Sequence, residues 1–379
     1  MQCNVYWFLI IIGTLLSFNY PSWSQADPKA DAKGDAVIPV THRKQRRLVL
    51  FPVIVKSPEY LWGAGVAGTF FFKLSRQDST TRTSSLKNVT FYTLRNQFVF
   101  ASDGNVYFPN EKYILHFIAS YSLFPDRFWG LGNETPSENQ EKYSISQYDL
   151  YPQLLRKVFS DFYLGVSYEF QDVFKFDYNK DGTSLFDTQN ITGRNGGKIS
   201  GAGLLITWDS RNNAFSPSKG FYMQYYVGYY SKGIGSDFDF TIRNIDVRKY
   251  FALKKDRVLA FQVNLISTIG DTPVRDMASI GSNSYMRGYY EGRYADRNML
   301  AIQGEFRVPV SGRWGFTTFV GAGRVGSTLS DVFQLQSIKP TFGVGLRYAL
   351  RPKEKLNLRV DAGFGKQSQG TYINIGEAF

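Results

Sequence analysis

From Leu48 onward the apolar and polar positions alternate with a period of two, the spacing of a β-strand with two different faces. Leu259, Phe261, Val263 and Leu265 alternate with Ala260, Gln262 and Asn264. Leu300, Ile302, Phe306 and Val308 alternate with Ala301, Gln303, Glu305 and Arg307. Leu356, Leu358, Val360, Ala362 and Phe364 alternate with Asn357, Arg359, Asp361 and Gly363. The stretches Tyr113–Leu123 and Thr341–Leu350 behave alike. Read this way, the chain carries sixteen strands, at 48–57, 61–75, 84–94, 98–108, 112–124, 142–157, 160–178, 198–209, 219–232, 237–253, 256–270, 298–309, 313–325, 338–350, 355–367 and 371–379. The connections sort by length. Pro109–Glu111, Val310–Gly312 and Arg351–Glu354 are short and fall on one side, whereas 125–141, 179–197, 271–297 and 326–337 are long and fall on the other. Half of each strand faces hydrocarbon and half a wet interior. In lipid every backbone polar group must be paired, so such strands close on themselves. The expected fold is all-β: a transmembrane antiparallel β-barrel of sixteen strands with a long extracellular loop folded inward.

The N-terminus has a different pattern. Val5–Phe18 is an apolar run too short for a membrane helix, and the small-x-small site Ser22-Trp23-Ser24 follows it. Residues 1–24 are expected to be a signal peptide, although no Lys or Arg precedes the run. Residues 25–47 read as a polar periplasmic leader ending in the basic knot Arg43, Lys44, Arg46 and Arg47, and 48–379 as the barrel.

Composition changes the picture in three ways. The chain is 17% aromatic, with 25 Tyr, 32 Phe and 35 Gly, while its mean hydropathy is −0.26. An aromatic-rimmed lipid face around a polar lumen explains both. Cys3, the only cysteine, precedes the apolar run, so the exported part has no thiol chemistry. The net charge of +12 survives removal of 1–24, which contain no charged residue. In an exported barrel that charge points to outer-membrane lipid and lipopolysaccharide rather than to nucleic acid.

Chemistry is sparse. The two histidines are His42 in the leader and His116, inward and mid-strand, away from the rim where a hydrolase would need one. There is no Gly-x-Ser-x-Gly element, metal-ligand cluster or phosphate loop. No catalytic residue, metal or cofactor is expected.

Three motifs carry a resemblance. Ser284-Tyr285-Met286-Arg287-Gly288-Tyr289 lies in the longest late loop. Trp208-Asp209-Ser210-Arg211-Asn212-Asn213 forms a turn with Pro217 and Gly220. Tyr372-Ile373-Asn374-Ile375-Gly376 closes the barrel, with Ile373, Ile375 and Phe379 expected to face lipid. In order and in distance from the C-terminus they resemble the BamA/TamA superfamily of outer-membrane assembly and translocation barrels. The likeness covers roughly Leu48 to Phe379. The family's loop motif, Val-Arg-Gly-Phe/Tyr, folds back into the lumen.

That resemblance implies a lock between Arg287, with Gly288 and Tyr289, and Glu305 on the following strand. A buried arginine needs such a partner, because an unpaired buried charge is costly. The family's second acid is missing from Phe319-Val320-Gly321-Ala322-Gly323, and Asp361 is the candidate substitute. It also implies a weak seam between first and last strands, softened here by Pro52, Gly370 and Gly376. Such an edge can template an incoming strand and so insert or translocate proteins or lipids. Family members that receive substrates carry periplasmic POTRA domains, for which residues 25–47 leave no room. A periplasmic or lipoprotein partner is therefore expected to stand in for them, beside a monomeric barrel. The alternative is a passive pore or structural surface-antigen barrel.

Overall fold

The computed structural model describes residues 48–74, 81, 84–213, 215–352 and 355–379. The expected signal peptide and leader lie outside them. The strands are β1 (Leu48–Ser57), β2 (Leu61–Phe72), β3 (Ser84–Thr93), β4 (Phe98–Tyr107), β5 (Tyr113–Phe128), β6 (Glu141–Phe159), β7 (Phe162–Asp177), β8 (Gly197–Asp209), β9 (Gly220–Tyr230), β10 (Phe240–Ala252), β11 (Val258–Gly270), β12 (Ala278–Ile280), β13 (Tyr294–Asp296), β14 (Asn298–Ser311), β15 (Trp314–Gly326), β16 (Lys339–Arg351), β17 (Leu356–Gly365) and β18 (Ser368–Ile375). Sixteen of them close an antiparallel barrel, and β12 and β13 pair separately inside the long loop.

The wall follows the alternation. Along β11 the inward Val258, Ala260, Gln262 and Asn264 are buried, while Phe261 and Val263 are exposed to the surroundings. A period-two strand can bury only one face, so its apolar face needs hydrocarbon. Aromatic rings gather near the turn side, with Phe159 stacked on Phe162 at 4.8 Å and Trp208 edge-on to both at 6.4 Å. Trp and Tyr favour this boundary between hydrocarbon and headgroups.

Strand length is uneven around the wall. β5, β6 and β7 hold 16, 19 and 16 residues, whereas β17 and β18 hold 10 and 8. At ~3.3 Å per residue the shortest strand reaches about 26 Å before tilt, against more than 50 Å opposite it.

The long-loop side is capped. A short helix, α1 (Leu185–Thr188), drops the fully buried Phe186 among Phe128, Tyr143 and Phe176. Ile191 and Val274 join the same apolar cluster, which continues onto the inward faces of β1, β3 and β4 at Val53, Val55, Phe91 and Val99.

The end of the chain departs from expectation. β18 stops at Ile375, and Gly376 turns with φ of 87°. Residues 377–379 then hook inward, and Phe379 is 4% exposed near Tyr250 instead of facing lipid. Gly376 is thus a turn residue beyond the seam rather than a softening position within it. Arg307 draws the hook in by donating to the Phe379 carbonyl at 2.8 Å.

Candidate functional site: the lumenal lock and the seam

The 271–297 loop descends into the lumen, and Arg287 sits at its tip with no solvent exposure. Its guanidinium donates to Glu305 of β14 and, at 2.5 Å, to Asp361 of β17. Its flat face lies 3.6 Å from the Phe319 ring centroid on β15. A planar cation with a fork of donors suits two acids and an aromatic face at once. Phe319 belongs to the segment that lacks the expected second acid, so that segment supplies a ring while Asp361 supplies the charge.

Further charges enclose this centre. Arg307 donates to Glu305 at 2.8 Å, and Arg347 to Asp361 at 2.5 Å. Arg359 stands 3.6 Å from Asp361 and donates to the Asn283 carbonyl at 2.9 Å. Glu377 of the C-terminal hook accepts from Arg347 at 2.7 Å and from Asn357 at 2.8 Å. Burial alone would raise the Glu377 carboxyl, but Arg347 and Arg307 hold it below the usual carboxylate range. Four arginines therefore share three carboxylates in a buried network. No sequence motif marks Arg307, Arg347, Arg359 or Glu377 as a site residue. Their signal was a charge on the inward face of three late strands and one beyond the last.

The loop backbone is seated closely. Gly288 has φ of 114°, and a Cβ there would stand 2.7 Å from the Phe364 backbone. A side chain at Gly363 would meet the Arg287 carbonyl carbon at the same distance. Tyr289 donates to the Pro340 carbonyl at 2.9 Å, and its oxygen accepts from Lys366 N–H at 2.8 Å.

The seam lies beside this lock. Among the described residues β1 and β18 share one paired position, Lys56↔Ile373, whereas β1 and β2 pair over ten and β17 and β18 over eight. Pro52 is on the stretch of β1 below that single pair and brings no N–H. Gly370, buried and inward, leaves space that Pro58 and the Tyr372 hydroxyl approach. Tyr372 is fully buried and accepts from Gly288 N–H at 2.9 Å. On the other side of the seam Glu59, in the β1–β2 turn, accepts from Glu291 N–H at 2.9 Å. One loop therefore touches both seam strands or their turns, joining from inside what the ladder barely joins. No sequence motif marks Glu59 either. Burial raises its carboxyl above the ordinary range. Ile373 is half-buried on the seam, while the Ile375 side chain lies outside what is described.

The turn motif occupies the opposite end. Arg211 makes a two-pronged bond to Asp209, 2.8 Å on each arm, and lies 4.5 Å over the Tyr222 ring. Gly220 has φ of 112°, with Ser210 oxygen 2.4 Å from where a Cβ would be. Trp208 points outward at 45% exposure. The Pro217 carbonyl accepts from Arg307 at 3.4 Å, and the Phe215 carbonyl from Glu377 N–H at 3.3 Å. The turn and hook thus touch each other and the charge network. The structure brings the lock residues and Tyr372 together, and connects Pro217 to them through Arg307. Trp208, outside on the wall, stands apart.

A family model described as the Omp85 superfamily domain matches residues 88–379. The solved structure of BamA from Haemophilus ducreyi lacking POTRA domains 1-3 matches with a TM-score of 0.59 at 14% identity, covering 87% of this chain and 70% of that one. CdiB from Acinetobacter baumannii matches with a TM-score of 0.55 at 14% identity, covering 87% of this chain and 60% of that one. Both show a shared fold. A search of curated proteins gives no match.

Proposed function

The chain belongs to the Omp85 superfamily, and on that footing we propose that it inserts or translocates clients at the bacterial outer membrane through the β1–β18 seam. The single paired position across the seam carries this reading. Among the described residues the rest of the β1 edge has no strand partner there, and unpaired backbone groups in hydrocarbon cost several kcal/mol each. An incoming strand relieves that cost by adding to the edge. The short β17 and β18 help, because a low wall thins the adjoining bilayer. The loop-filled lumen weighs against a passive pore. Handover of clients by a periplasmic or lipoprotein partner to a single barrel fits the reading.

The test is a seam that can be locked. A Lys56→Cys, Ile373→Cys barrel places two thiols at the one paired position, with Cys3 the chain's only other cysteine. Reconstituted in vesicles, the oxidised form should lose assistance to an unfolded client barrel, and reductant should restore it. Equal assistance in both forms would refute the seam mechanism.

A further inference from the structure

The rim formed by the short turns is basic along one continuous arc. Lys219 lies in the β8–β9 turn, Lys254, Lys255 and Arg257 in the β10–β11 turn, Arg313 in the β14–β15 turn and Lys355 in the β16–β17 turn. All six are exposed. These turns follow one another around the barrel and end beside β18. Asp256 is the one exposed carboxylate among the described residues of those turns, and none of the six cations has an ion-pair partner there. The opposite end carries both signs: exposed Asp177, Asp181, Asp237, Asp239 and Asp271 stand among its cations, and Lys175 pairs with Asp177 at 2.9 Å and Lys232 with Asp239 at 3.8 Å.

The arc also has a defined height. Phe251 and Trp314 stand exposed immediately above it, at 44% and 54%, and Lys249 lies 5.6 Å from the Phe251 ring. Exposed aromatic rings mark the headgroup level of a bilayer. Cations one turn beyond them lie where phosphates lie.

From this placement we infer that the arc binds anionic phospholipid headgroups of the inner leaflet, gathering acidic lipid on the side of the barrel that ends at the seam. The inference rests on the outer-membrane orientation in the reading above, with the short turns toward the periplasm, but not on insertion activity. An acidic protein is the competing occupant. Lipid is favoured because the cations track the membrane boundary around four turns instead of clustering on one face.

The experiment is lipid retention by the refolded full barrel, counted by native mass spectrometry. The detergent micelles contain equal dioleoyl-phosphatidylglycerol and dioleoyl-phosphatidylcholine. Wild type should retain phosphatidylglycerol preferentially, and a variant carrying Lys254→Gln, Lys255→Gln, Arg257→Gln and Arg313→Gln should lose that preference. The contribution of each cation near an anionic surface corresponds to about fivefold. A control carrying Lys142→Gln, Lys175→Gln, Lys198→Gln and Lys232→Gln, with the same charge change at the other end, should keep the wild-type preference. All three should show the heat-modifiable migration of a folded barrel. Equal retention of the two lipids by wild type overturns the inference, as does an equal drop in variant and control. Unchanged retention in the arc variant also overturns it, and would leave the arc to an acidic protein.

Discussion

Arg287 is the residue on which the interior turns. Arg287→Ala would leave Glu305 and Asp361 facing each other without their shared cation, a loss of about 3–5 kcal/mol for a buried pair. Urea unfolding in detergent should show it, and Arg287→Lys should recover only part, because an ammonium cannot serve two acids and a ring as a planar fork does. Asp276 gives a prediction of opposite sense. It is 3% exposed in the inward loop, and burial pushes its carboxyl up to about 6, with Asp149 adding to the rise and Arg275 opposing it. A raised acid costs stability when ionised, so this contribution should improve as pH falls from about 6 toward the ordinary 3.8. Asp276→Asn should stabilise the barrel at pH 7.5 by on the order of 1 to 3 kcal/mol, and flatten its unfolding midpoint between pH 4 and 6. Arg287 was legible because its motif stood in the longest late loop. Glu377 was not, because its pairing with Arg347 depends on a turn at Gly376 that no alternation announces.

At the level of elements, the 271–297 loop is the plug and the C-terminal hook is part of the floor. Deleting Ser284–Tyr294 removes Arg287, the Tyr372 contact and the Glu59 contact together. In planar bilayers, low and flickering conductance should become large and steady, whereas steady large conductance in both forms would mean that the loop does not close the lumen. Glu377→Gln should weaken the hold of Arg347 and Arg307 on the hook, exposing residues 377–379 to carboxypeptidase while the strands stay resistant. The strands themselves were readable from alternation, and the barrel closes with the expected sixteen. The last strand ends at Ile375, four residues short of the expected 379. Ile373 and Phe379 both occupy odd positions, but the left-handed turn at Gly376 breaks the register between them, so one lines the seam and the other the lumen.

Across the whole molecule, the barrel is asymmetric: long strands and an apolar cap on one side, short strands and a seam with one paired position among the described residues on the other. Alternation in the sequence predicts closure but not this asymmetry, since a period of two leaves even-numbered shifts of register, and hence the stagger at which the barrel closes, undetermined. Among the described residues the seam ladder is weak, and the loop holds it from within. Hydrogen–deuterium exchange of the barrel in lipid nanodiscs, wild type against Arg287→Ala, tests this most directly. Exchange should be fast along β1 and β18 and slow in β5 to β8, with a further rise confined to the seam strands and the loop in the variant. Equal protection of all sixteen strands in wild type, or a rise spread evenly around the barrel in the variant, would contradict it.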